Sequence, residues 1–196
     1  MVGLAALAAL IIIIMAGSAL FRSTLENPRL FFVEPPIQKN SELKLTPGEQ
    51  YRYSYLLNNT PVNLTYIILA DSGCTRVRVL ENLNDSGVCL DRWGNDESGF
   101  NSTYENPSIL LFKPWMLALE EGWRWNSTMY VQYSGGRQYV TDTYYRVVRL
   151  ENYSGRESFI VEIKSKEGDI EYYWIDAEKR VLLKIEGKGY LVELVD

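Results

Sequence analysis

Beyond residue 45 the chain alternates between apolar and polar positions with a period of two, the signature of half-buried strands. Tyr51-Arg52-Tyr53-Ser54-Tyr55 places three tyrosines on one strand face, and Val62–Ala70 is the returning strand. Thr75–Leu80 alternates again, and a turn over Glu81–Gly87 brings Cys89 back towards Cys74. From Trp123 the pattern is a meander of strands: Trp123–Tyr133, Gln138–Leu150, Ser158–Ser165, Ile170–Ile175, one carrying Val181, Leu183 and Ile185, and Tyr190–Val195. The connections are short and rich in Gly, Asn and Asp, so neighbouring strands pair antiparallel. The spacing predicts one soluble helix, Pro114–Gly122, with Pro at its first position and Gly just past its end. Leu30–Val33 reads either as a first strand or as aromatics at a membrane interface. Asp91–Pro107 reads as a long polar loop.

The head of the chain follows another rule. Val2–Phe21 carries no charge, and about 20 apolar residues at ~1.5 Å each span a bilayer's hydrocarbon core. The run is read as an uncleaved anchor. A cleaved signal is the alternative, because Ala16-Gly17-Ser18-Ala19 offers small residues to a peptidase. This divides the chain into an anchor over 1–22, a connection over 23–44 and a mainly β domain over 45–196. Arg22 and Arg29 on the far side of the span argue for a cytoplasmic domain, but long domains translocate largely regardless of charge.

Two features place the domain outside the cell membrane. Six N-x-S/T sites occur, at Asn58, Asn63, Asn84, Asn101, Asn126 and Asn152. Chance predicts roughly 1.4 from the Asn, Ser and Thr content, so the excess marks them as glycan acceptors. Cys74 and Cys89 are the only two cysteines, most simply one disulfide in an exported domain. The expected location is therefore the cell membrane, single-pass, with the C-terminal domain extracytoplasmic.

Composition removes several functions. A net charge of −5 argues against nucleic acid as the partner, because it demands a basic face. The chain has no histidine, which removes Ser-His triads, His-ligated metals and the commonest general base. No metal, cofactor or catalytic motif is assigned, and the protein is read as not an enzyme.

Three clusters are candidate sites. Asp91-Arg92-Trp93-Gly94-Asn95-Asp96-Glu97 offers oxygen ligands without EF-hand spacing, and reads first as a solvated acidic loop. Trp115, Trp123 and Trp125 flank the helix, as core residues or as a platform for a sugar or lipid. Glu157, Glu162, Glu171 and Asp176 lie on or beside late strands, where paired carboxylates run glycoside hydrolysis but charges on an antiparallel sheet usually face solvent.

The opening strand PGEQYRYSY, the step LEEGWRW and the closing IEYYWIDAEKRVLLKIEG together resemble the LolA-like half-barrel group of exported lipoprotein-carrier domains. The resemblance spans about Leu45 to Val195. It implies a curved antiparallel sheet cupping an apolar ligand or a neighbouring helix, and it brings over no functional residue. The expected function is binding of a partner protein, an envelope component or an apolar ligand. A pilin-like structural subunit and a hydrolase of unknown type are the alternatives.

Overall fold

The computed structural model describes residues 29–33, 37–57, 60–71, 73–81, 84–95, 110–132, 138–166 and 168–195. Val2–Phe21, Asn58 and Asn101 lie outside them, and among the described residues no helix is long and apolar enough to cross a membrane.

The alternating stretches form strands β1 (Arg29–Val33), β2 (Gln50–Leu57), β3 (Thr60–Ala70), β4 (Thr75–Glu81) and β5 (Asn84–Leu90). They continue with β6 (Arg124–Gln132), β7 (Gln138–Tyr153), β8 (Arg156–Ser165), β9 (Ile170–Asp176), β10 (Leu182–Gly187) and β11 (Tyr190–Val195). The chain divides into two compact units, Met1–Phe31 with Tyr130–Val140, and Phe32–Met129 with Thr141–Asp196. In the first, the described residues belong to β1, β6 and β7, in that order. In the second, one open sheet runs β6-β7-β8-β9-β10-β11-β2-β3-β4-β5. Every resolved pairing from β7 onward is antiparallel. Among these pairings β11 to β2 joins strands distant in sequence, with Val192 opposite Tyr55 and Leu194 opposite Tyr53.

Residues opposite one another in an antiparallel pair share a sheet face, so the register sorts the side chains. One face carries Tyr53, Leu64, Tyr66, Ile68, Val77, Val161 and Ile185, all nearly sealed from solvent. Phe159, Val161 and Ile163 are buried together with Val181, Leu183 and Ile185, as the alternation predicts. A bulge between Leu182 and Lys184 breaks the β9–β10 register and turns Leu182 inward as well.

What covers this face differs from the sequence reading. The expected helix is a 3₁₀ helix of 5 residues, Pro114–Ala118. It is closed by Met116 N–H to the Lys113 carbonyl at 2.9 Å and Leu119 N–H to the Met116 carbonyl at 3.4 Å. The physical reason is that the segment is apolar all round rather than on one stripe: Leu111, Phe112 and every residue of Trp115–Leu119 are buried. A helix buried on all sides needs partners for its terminal carbonyls. They come from the preceding segment, where Asn40 N–H and Ser41 N–H reach the Leu117 carbonyl at 3.0 and 3.1 Å. Gly122, expected to end the helix, instead makes the turn into β6 with φ 79°. The stretch Ile37–Lys44, read as connection, is fastened at a second point by Leu43 N–H to the Arg92 carbonyl at 2.9 Å.

Candidate functional site

The cysteine pair is bonded. Cys74 and Cys89 join across the β4–β5 hairpin with 5.7 Å between their Cα atoms, within ordinary disulfide geometry.

The acidic loop is a turn fastened by its own first residue. Asp91 Oδ1 accepts the backbone N–H groups of Trp93 and Asn95, both at 2.8 Å, and Oδ2 accepts the Asn95 side-chain amide at 2.8 Å. The Lys39 ammonium donates to the Trp93 carbonyl at 2.6 Å and to Asn95 Oδ1 at 3.0 Å. Burial pushes the Asp91 carboxyl up, but the Asn95 and Trp93 donors and the Lys39 charge outweigh it and hold the group below the usual range. Lys39 thus takes the Trp93 and Asn95 oxygens, while N–H groups of Trp93 and Asn95 take both Asp91 oxygens. Asp96 and Glu97 lie outside the described residues.

The tryptophans stack in sequence. Trp115 and Trp123 lie 6.1 Å apart at 14°, and Trp123 and Trp125 6.3 Å apart at 29°. Trp115 and Trp125 are buried, and Tyr145 tilts against both rings. Only Trp123 is half-exposed. The trio is core with one ring at its rim.

The late carboxylates do not converge. By register Glu157 and Glu171 take one sheet face, Glu162 and Asp176 the other. Glu162 lies opposite Tyr172, so Asp176 is four residues further along β9, about 13 Å at the rise of a strand. Glycosidase carboxylates stand roughly 5 to 9.5 Å apart. Each of three has structural work. Glu162 pairs with Arg146 at 2.9 Å, which holds its carboxyl low against burial. Glu171 accepts from the Tyr173 hydroxyl at 3.0 Å. Asp176 is buried and caps the turn after β9, accepting the N–H groups of Glu178 and Lys179 at 2.9 and 2.8 Å.

The outward face holds what sequence reading missed. A row crosses the sheet through Arg149, Ile160, Trp174, Lys184, Glu193, Ser54 and Asn63. Lys184 Nζ sits 4.4 Å from the Trp174 ring centre and 5.9 Å from that of Tyr153, and pairs with Glu186 at 2.8 Å. Trp174 Nε1 donates to Glu151 at 2.8 Å, and with Arg149 keeps that carboxyl low. Tyr153 donates to Glu193 at 3.0 Å; burial and then this carboxylate push its hydroxyl up to about 12. Beside this row, a groove of about 770 Å³ opens between the ends of β2, β10 and β11, lined by Ser54, Leu56, Glu186, Leu191, Glu193 and Val195 among others. The available signal was the run of Trp174, Lys184 and Glu193 on the polar phase of three successive strands.

Of the glycan acceptors, Asn63, Asn126 and Asn152 are exposed. Asn63 lies between buried Val62 and Leu64, and Asn126 between buried Trp125 and Ser127, so both project from the face opposite the core. Asn152 stands at the β7–β8 turn, where its Oδ1 accepts Gly155 N–H at 3.0 Å. The backbone of Asn84 opens β5.

Comparison with models of protein families, with curated proteins and with solved structures finds no match to this chain.

Proposed function

We propose that the chain is a non-enzymatic, extracytoplasmic β domain, held to the cell membrane by Val2–Phe21, that binds a partner protein through the outward face of its sheet. One observation carries the choice among ligands. Leu111, Phe112 and Trp115–Leu119 fill the inward face, the space in which a LolA-like half-barrel would hold an apolar ligand. In this reading the sheet is a half-barrel that cups its own segment, supported by the unbroken antiparallel order of its strands. Binding then falls to the outward face. There Tyr144, Lys164 and Ile170 form one cross-strand row, beside the row Arg146, Glu162 and Tyr172. Tyr144 is 46% and Ile170 40% exposed, and Tyr and Arg are the residues that interfaces favour. The anchor and the export rest on the uncharged run, the sequon excess and the disulfide.

The test places a photo-crosslinking residue at position 144 of the full chain in its native membrane. One discrete protein adduct, lost on Ile170→Asp and kept on Lys188→Asp, is the expected result. Adducts to lipid alone, or none, overturn the reading, and a ladder of self-adducts marks a filament subunit instead.

A further inference from the structure

The groove between β2, β10 and β11 exposes apolar side chains on the outward face. Leu56 is 62% exposed, Leu191 44% and Val195 44%. Leu56 and Leu191 are neighbours across β2 and β11, and an exposed apolar cluster marks an interaction site or an aggregation hazard. Its rim is polar, with Ser54, Glu186 and Glu193. At about 770 Å³ it falls in the ~300–1,000 Å³ range of small-ligand sites.

The register supplies an occupant. Glu193 lies opposite Ser54, and Ser54 opposite Asn63. Ser54 and Glu193 line the groove, so the Asn63 backbone stands one strand, about 5 Å, from its wall. Asn63 is exposed and opens the sequence Asn-Leu-Thr. Thr65, two residues on, points to the same face and lies opposite Arg52. Of the other exposed acceptors, Asn126 is on β6, at the opposite end of the strand order, and Asn152 is in the β7–β8 turn. A pyranose ring has an apolar C–H face and a rim of hydroxyls. The groove offers both: aliphatic Leu56 and Leu191 lie side by side, one step beyond the Tyr55–Val192 pair, with the Ser54 hydroxyl and the Glu186 and Glu193 carboxylates around them.

We infer that Asn63 carries an N-linked glycan whose first saccharides lie in this groove, over Leu56 and Leu191. This rests on the export reading above. The glycan covers the apolar strip and ties β3 to β11 across β2, so it stabilises the part of the sheet where the last strand joins the first strands of the domain. It also closes that end of the outward face to proteins, which leaves the Tyr144–Ile170 end for a partner.

The full chain, made in a host that N-glycosylates exported proteins, tests this by glycopeptide mapping and hydrogen exchange. Asn63 is expected to be occupied. Asn63→Gln, or Thr65→Val should the first variant fold poorly, is expected to speed exchange over Tyr190–Val195 by about tenfold and to raise binding of an apolar fluorescent dye. Enzymatic trimming of the folded glycoprotein to one saccharide is expected to do the same, and Asn126→Gln to do neither. A bare Asn63 beside occupied Asn126 and Asn152 overturns the inference and leaves export standing. Bare asparagines at all three overturn both. An occupied Asn63 whose removal or trimming changes neither exchange nor dye binding also overturns the inference, because the glycan then hangs free.

Discussion

The Tyr53 hydroxyl donates to the Leu182 carbonyl at 2.5 Å, joining β2 to β10 across 129 positions of sequence. Both residues are wholly buried. The Leu182 N–H reaches the Leu111 carbonyl at 2.8 Å, so the backbone of one residue at the β10 bulge serves both the sheet and the segment that covers it. Tyr53→Phe keeps the ring packing but leaves a buried carbonyl short of its donor, which costs about 1–3 kcal/mol. Urea unfolding is expected to show that loss for Tyr53→Phe and almost none for Tyr144→Phe at the exposed surface.

Leu117 is fully buried in the covering segment. Leu117→Ala leaves a cavity and is expected to destabilise by about 2–5 kcal/mol. A loss below 1 kcal/mol, read from the denaturation midpoint, would mean that the segment is not part of the core.

The two sheet faces are unequal at β8. Val161 is fully buried and Lys164 is exposed. Val161→Asp buries an unpaired charge, expected to cost about 3–5 kcal/mol, a large part of the ~5–15 kcal/mol that holds a typical domain. Lys164→Asp is expected to stay within about 0.5 kcal/mol of wild type. Thermal melts of the two variants side by side decide it.

Glu49 accepts from Lys179, from Thr46 N–H at 3.0 Å and from the Tyr51 hydroxyl at 2.8 Å. Burial pushes its carboxyl up, but these donors win and hold it below its ordinary value. A depressed folded-state value contributes stability above the unfolded-state pKa, and that stability is lost as pH falls through the folded value. Acid unfolding is therefore expected to begin below about pH 4.3, the ordinary glutamate pKa. Glu49→Gln should lower stability at neutral pH and flatten its fall on acidification, as measured by melts at stepped pH.

The Cys74–Cys89 bridge closes a loop of 15 residues, worth about 3 kcal/mol by chain entropy. Intact-mass measurement of the unreduced native protein is expected to find no alkylatable thiol. Replacing both cysteines with serine should lower the midpoint of unfolding while keeping the β spectrum.

The strands were legible because each buries one face. Tyr51 and Tyr53 alternate with Arg52 and Ser54, and Ile163 stands between the polar Glu162 and Lys164, so period and burial agree there, whereas Ser158–Val161 are buried without alternation. The covering segment was not legible as 3₁₀, because its sequence satisfies the end signals of an α-helix. Pro114 and Gly122 sit where an α-helix would place them, yet Asn40 and Ser41, more than seventy positions earlier, take the carbonyl that decides where it stops. Nor could the groove be read from the chain. Its walls come from three strands whose adjacency depends on the β11–β2 pairing, and no local pattern announces a partner some 140 residues away.

That pairing also sets an order of events during synthesis. The β2–β5 portion emerges first and can form its three hairpins at once, but one edge of β2 stays open until Tyr190–Val195 arrives. Contacts so far apart in sequence form late and slow folding, and an open strand edge invites wrong pairing in the meantime. The final six-residue strand is therefore the clasp: a nascent chain that stalls before residue 190 presents β2 to its neighbours, whereas the finished chain does not.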